Sequence, residues 1–211
     1  MAREQQEKPY EIVLSGVGGQ GILTMTDILC DAALVSGFSV RGSETHGMAQ
    51  RGGSILTHVR IATGSIQVFA PLIRDRSAQV LVSTEPAEAL RRARFVSPDG
   101  IIVVNKHGIP PPSLTYKREM YPEKDELVTA LQRFCPNVFA MDATPLAELV
   151  GSPASLNVVM LGALSGVAGG FPITAETLLS RVHTRFKERF RDVNERAFDA
   201  GRNAYLEHSS P

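Results

Sequence analysis

The stretch Glu11-Ile12-Val13-Leu14-Ser15-Gly16-Val17-Gly18-Gly19-Gln20-Gly21-Ile22-Leu23 decides how this chain is read. An apolar run of buried-strand length enters a glycine-dense turn and leaves as a helix, the arrangement by which α/β folds make a bed for an anionic group. Gly16-Val17-Gly18-Gly19-Gln20-Gly21 satisfies G-x-G-x-x-G in the strand-then-helix context that this motif needs. In such a turn the first glycine permits the tight bend. The second lets backbone approach a phosphate or another chain, and the third allows close helix–sheet packing. A dinucleotide site also needs an acid near the end of the second strand, and there the chain reads Val40-Arg41-Gly42-Ser43, with Glu44 deeper in. An arginine at that place suits a 2′-phosphate. The turn alone therefore leaves four occupants open: NADP or another nucleotide, a different anionic ligand, a partner chain, or nothing beyond the needs of the fold.

Working outward, residues 22–35 place Ile22, Met25, Ile28, Leu29, Ala32 and Ala33 at helical spacing, with Gly37 as the stop. Residues 38–40 read as a second strand, completing a βαβ unit with the expected right-handed crossover. Residues 41–54 read as a polar, glycine-punctuated loop, the kind of segment where binding residues gather. A strand over 55–61 and a hairpin through 63–65 into 66–69 follow. Strands are expected at 78–82, 100–104 and 138–141, and helices at 86–93, 123–134, 146–150 and 156–168. Gly162, Gly166 and Gly170 put a small residue at every fourth position of the last of these, for close backbone approach. Leu178, Val182, Phe186, Phe190, Val193 and Ala197 form one apolar stripe, read as a single surface helix. Residues 109–112 read as a stiff linker. The expected fold is one doubly wound α/β domain over 1–211, with a mostly parallel sheet and helices on both faces. A tail over 1–8 and a C-terminal helical extension over 174–206 complete it.

Composition narrows the chemistry. Lysine plus arginine equals aspartate plus glutamate, 22 against 22, so no field gathers nucleic acid or an anionic membrane. The apolar run 158–171 is broken by Ser165 and four glycines and is too short to span a bilayer. The polar start, 1–8, has no signal-peptide core, which points to the cytoplasm. The two cysteines, Cys30 and Cys135, are isolated, so neither a disulfide framework nor a zinc or iron–sulfur site is expected on this chain. Cys30 falls within an apolar helix pattern, a poor setting for a nucleophile. His46 and His58 lack a third ligand, and no metal is expected. Lys106-His107 at a strand end reads as an exposed loop.

The turn and the run Gly42-Ser43-Glu44-Thr45-His46-Gly47-Met48-Ala49-Gln50-Arg51-Gly52-Gly53-Ser54 together resemble the gamma-type catalytic domain of 2-oxoacid:ferredoxin oxidoreductases. The segment from His46 to Gly53 is most similar to the small subunit of the indolepyruvate-type members. Further likeness runs through Val59-Arg60, Glu85-Pro86-Ala87-Glu88-Ala89-Leu90, Val103-Val104-Asn105, Asn157-Val158-Val159-Met160-Leu161-Gly162 and residues 195–201. The match covers most of the chain, with 116–131 and both tails carrying little of it.

The resemblance implies oxidative decarboxylation of an arylpyruvate to an aryl-acetyl-CoA, with electrons passed to ferredoxin. It implies thiamine diphosphate with Mg and 4Fe-4S clusters on a large partner subunit, and coenzyme A as co-substrate. None of these is expected to be held by this chain alone: the nearest approach to a Gly-Asp-Gly thiamine motif is Pro98-Asp99-Gly100. The catalytic residues it suggests are Glu44, His46 and Arg51. The cofactor-facing ones are Gly16, Gly18, Gly19, Gln20, Gly21, Ser43, Gln50, Gly52 and Gly53. Arg51 would pair with a carboxylate or phosphate through its planar fork, and Glu44 or His46 would orient a neighbour or move a proton. Two readings compete: a stand-alone NADP- or flavin-binding module or dehydrogenase, and an interaction subunit in which Arg51 pairs across an interface and Glu44 hydrogen-bonds within its loop.

Overall fold

The computed structural model describes residues 8–47, 52–63, 66–111, 120–167 and 170–209. Strand β1 (Tyr10–Val17) is buried along its whole length, and the turn after it feeds helix α1 (Ile22–Val35), as the apolar spacing predicts. The remaining strands are β2 (Ser39–His46), β3 (Ser54–Ala62), β4 (Ala78–Ser83), β5 (Val96–Asn105) and β6 (Val138–Met141). They form one six-stranded sheet in the order β2-β3-β1-β4-β5-β6. The pairings β1–β4, β4–β5 and β5–β6 are parallel, whereas β3 runs antiparallel to both β1 and β2.

Side-chain alternation along the strands builds two cores. Ile12, Leu14, Val59, Val82 and Phe139 face one side, covered by α1, α5 (Leu156–Ser165), α6 (Ala175–Arg185) and α7 (Arg191–Ser209). Val13, Leu81, Ile102 and Val104 face the other, under α2 (Pro86–Arg92) and α3 (Lys124–Gln132). A further helix, α4 (Ala143–Leu149), follows β6. The doubly wound, mostly parallel architecture is thus the one the sequence implies. Among the described residues no helix is long and apolar enough to cross a membrane.

Three elements depart from expectation, each for a non-local reason. Residues 41–46 are not loop: they continue β2 to His46, because β3 pairs with every residue from Ser39 to His46. A polar edge strand gets its order from that pairing rather than from its own propensity. Second, β1 and β2 are not neighbours, since the β2–β3 hairpin folds β3 between them. Third, the apolar stripe 178–197 spans two helices, because Phe186 and Lys187 are extended and a short 3-10 turn, Glu188–Phe190, redirects the chain into α7. Residues 66–69 carry no strand, and α4 begins three residues earlier than its periodicity suggests, directly after Asp142.

The fourth-residue glycines divide by role. A Cβ on Gly162 would overlap the Phe198 carbonyl oxygen and lie 2.8 Å from its carbon, and a Cβ on Gly166 would lie 2.9 Å from Tyr205 Cδ1. Both seat α5 against α7. Gly170 has open space around it and instead needs its φ of +95°.

Candidate functional site

The turn after β1 is filled from within by Gln20. Its Oε1 accepts from the Val17 amide at 2.8 Å and from the Thr84 hydroxyl at 2.7 Å, and its Nε2 donates to the Thr84 carbonyl at 3.2 Å. The Gly18 amide donates to the Gly53 carbonyl at 2.9 Å, and the Gln20 amide to the Val17 carbonyl at 3.1 Å. The amides of Val17, Gly18 and Gln20 are therefore occupied by the protein itself. Gly16 is required by space, since a Cβ there would overlap Thr84 Oγ1, whereas Gly21 is required by its φ of +78°, with a Cβ also 2.6 Å from Asn157 Nδ2. Gly19, exposed and at φ +101°, is required by conformation. A dinucleotide needs free amides where this turn has its own glutamine and Gly53, so the nucleotide-binding alternative loses its main support.

The Gly18–Gly53 bond joins the two glycine-centred motifs into one surface. The loop between β2 and β3 is anchored at its base by several contacts. Gly47 N donates to Ser54 O at 2.8 Å. The Ser54 hydroxyl donates to the Glu88 carboxylate and accepts from Arg92 Nη2 at 2.9 Å. Glu88 is buried on α2, so this helix fixes where the loop leaves the sheet. Gly52 takes φ +73°, a left-handed turn that favours glycine. Gln50 and Arg51 lie outside the described residues.

Because 41–46 is strand, its side chains separate by parity. Glu44 pairs with Thr57 and His46 with Ile55, on the face that α1 covers, and both are exposed. Ser43 pairs with His58 on the opposite face. The structure thus brings Glu44, His46 and the glycine turn together at one corner of the sheet and turns Ser43 away from them. His46 and His58 likewise fall on opposite faces and cannot share a metal. Burial and the nearby Arg92 lower the pKa of His58, and its Nδ1 accepts from the Ile73 amide at 3.3 Å.

Two buried polar residues that the spacing arguments passed over support the carboxyl ends of the parallel strands. Asn105 is fully buried at the end of β5. It donates to Thr84 O at 3.1 Å and Thr144 Oγ1 at 3.0 Å, and accepts from the Ala143 amide at 3.1 Å. Glu85, 1% exposed, accepts from the Glu88 amide at 2.7 Å and from the Ile109 amide at 3.2 Å, and also from the Tyr121 hydroxyl. The usable signal was a polar residue closing an apolar strand at its carboxyl end, where α/β folds place their sites. Lys106 is held by Asp142 at 2.7 Å.

The thiols lie on opposite sides of the sheet, Cys30 on α1 and Cys135 in the core under α2 and α3. Among the described residues no group of three or more His, Cys, Asp or Glu side chains converges. This donor set does not fit an iron–sulfur cluster. Burial pushes the Cys30 thiol up to about 11 from an ordinary 9.0, with Asp27, Glu44 and Asp31 adding to it. Its thiolate fraction at about pH 8 is then roughly a hundredfold below that of an ordinary thiol. Alkylation of Cys30 by iodoacetamide, followed by peptide mapping, is expected to be slower by that factor and to keep rising with pH until near 11. A rate that levels off near 9.0 would contradict this burial.

A family model described as pyruvate ferredoxin/flavodoxin oxidoreductase matches residues 11–204. Among curated proteins, indolepyruvate oxidoreductase subunit IorB of Archaeoglobus fulgidus is 41% identical over 192 residues, 91% of this chain and 93% of the relative. The gamma subunit of a keto/oxoacid ferredoxin oxidoreductase from Geobacter sulfurreducens superposes with a TM-score of 0.67 at 22% identity, over 94% of this chain and 99% of that one. A 2-oxoglutarate:ferredoxin oxidoreductase from Magnetococcus marinus gives a TM-score of 0.72 at 22% identity, over 97% of this chain but 32% of that one. The two solved structures share the fold, and the family match spans nearly all of β1 to α7. This chain belongs to the pyruvate ferredoxin/flavodoxin oxidoreductase family.

Proposed function

We propose that the chain is the small subunit of an indolepyruvate-type 2-oxoacid:ferredoxin oxidoreductase of the cytoplasm. It would complete the catalytic site of a large partner subunit. The partner would hold thiamine diphosphate with Mg and the 4Fe-4S clusters, and would pass electrons to ferredoxin. Thiamine diphosphate supplies the carbanion stabilisation that loss of carbon dioxide from a 2-oxoacid requires.

The observation that carries this reading is the Gly18–Gly53 hydrogen bond, which makes one continuous face of the turn and the loop that resembles the family. On that face Gly19 and Gly52 present exposed backbone with no side chain to hold a partner off. Glu44 and His46 flank it and would orient a neighbour or move a proton. Arg51 would supply the fork for a carboxylate of the 2-oxoacid or a phosphate of coenzyme A, and Gln50 and Gly53 would contact the same ligand. Ser43, on the opposite face, is assigned a supporting contact near His58 instead.

The test is reconstitution. The chain, purified with and without its large partner, is assayed for arylpyruvate- and CoA-dependent reduction of ferredoxin or a viologen. Turnover is expected only with both chains, with indolepyruvate among the substrates. A folded, assembled pair that turns over no 2-oxoacid would refute the assignment. Titration of the isolated chain with NAD, NADP or flavin is expected to be silent, because the amides of Val17, Gly18 and Gln20 are already bonded within the protein.

A further inference from the structure

The sheet ends on one side at β6, which has only 4 residues, and on the other at β2, which has 8. From Arg41 to His46 the edge strand β2 is exposed, apart from half-buried Ser43. Sheet edges are ordinarily protected by shortness, proline, bulges or a covering loop. β2 contains no proline and pairs with β3 without a break in register. The Gly47 amide donates to the Ser54 carbonyl at 2.8 Å, one step beyond the His46–Ile55 pair. Bonded pairs alternate along an antiparallel ladder. Thr45 and Ser43 therefore bond to β3, while the backbone N–H and C=O of Val40, Gly42, Glu44 and His46 point away from it.

Arg41 closes the first part of this edge, since its Nη1 donates to the Val40 carbonyl at 2.9 Å. From Gly42 to His46 the outward amides and carbonyls have no partner among the described residues. The open half runs into the corner where Glu44, His46 and the glycine turn meet. Its α1 side is acidic. Cys30 lies beside Gly42, with Sγ 3.4 Å from where a Cβ would stand, and Asp27, Asp31 and Glu44 all act on that thiol. Asp27 has Arg185 at 3.9 Å. Asp31 and Glu44, both exposed, form no ion pair among the described residues.

We propose that the open half of β2, Gly42 to His46, is a docking edge for an extended segment of the large partner subunit. The segment adds one more strand to the sheet and sets a lysine or arginine against Asp31 and Glu44. This rests on the small-subunit reading and commits it to one geometry. Main-chain bonds fix the register of the contact, and the register brings Glu44 and His46 to a defined place on the partner.

Hydrogen exchange is measured on the full chain, alone and in the reconstituted pair, and resolved to single amides. In the chain alone the Gly42, Glu44 and His46 amides are expected to exchange freely, and those of Ser43 and Thr45 slowly. In the pair the first group should slow by at least about tenfold. Gly42→Pro removes one outward N–H and Gly42→Ala keeps it. The proline variant should bind the large partner roughly tenfold more weakly, and the alanine variant should bind like the parent. Asp31→Lys should weaken binding on the order of threefold. If Gly42→Pro melts earlier than the parent chain, the exchange pattern and Asp31→Lys decide. A pair that assembles and turns over a 2-oxoacid while the Gly42, Glu44 and His46 amides stay fast overturns the docking edge and leaves the small-subunit reading standing. So does parent-like binding by Asp31→Lys or by a well-folded Gly42→Pro. A pair that never assembles overturns both. Protection of the same amides in the chain alone, rising with its concentration, would give the edge to a second copy and overturn the proposal as well.

Discussion

Gly201→Ala is expected to destabilise the chain by about 3 kcal/mol, the upper end of what one added methyl costs in a close-packed interior. For a domain of this size that lowers Tm by roughly 6–12 °C. The cause is the contact between α5 and α7. A Cβ on Gly201 would overlap the Val159 carbonyl oxygen and lie 2.8 Å from its carbon and 3.1 Å from the Ala163 amide nitrogen. All three are backbone atoms of α5, so no side chain can swing aside. The helices must separate, and every residue of α5 from Leu156 to Leu164 is buried. Gly162 makes the reciprocal approach to Phe198, so the two glycines act on the same interface and their effects should not add. Differential scanning calorimetry of Gly201→Ala, Gly162→Ala and the double variant measures this, with the exposed Asp199→Ala as control. A Gly201→Ala Tm equal to that of the control would mean the helices are not packed this closely.

The second large effect is expected at Gln20, in the turnover of the reconstituted enzyme. Gln20→Leu removes three hydrogen bonds at once and leaves the Val17 amide unpaired, at a cost of about 1–3 kcal/mol. The turn then loses the plug that sets the position of Gly18, and with it the bond that holds Gly53. Misplacing a positioning element by about an ångström costs on the order of a hundredfold in rate. Turnover of the assembled pair is expected to fall by that order, while the folded core persists. Gln20→Glu keeps the acceptor for Val17 N and the Thr84 hydroxyl but sets a carboxylate against the Thr84 carbonyl, so it should fall between the parent and the leucine variant. Steady-state kinetics on the complex, with melting curves for each variant, make the comparison. Full turnover in a well-folded Gln20→Leu complex would remove the turn from the site.

What was legible in the sequence follows the range of the interactions involved. The bounds of α1 and β6 came directly from periodicity and punctuation, because helix spacing and short apolar strands are local properties. The long polar strand β2 did not. Arg41, Ser43, Glu44 and Thr45 carry no apolar alternation, and their order comes from pairing with β3, whose register no local window contains. The break between α6 and α7 was hidden for a related reason. Phe186 and Phe190 continue the apolar spacing across it, and neither glycine nor proline marks it.

The site divides along the same line. The residues of the glycine turn, its adjacency to a helix and the likeness of the loop to a family were all present in the chain as written. Chemistry needs those residue types in that order, and order is what a sequence states. The fold alone decided that Gln20 fills its own turn, that Gly18 and Gly53 meet, and that Ser43 faces away from Glu44. Each of these depends on which distant backbone groups are brought within hydrogen-bond reach, and only the assembled sheet and its covering helices determine that.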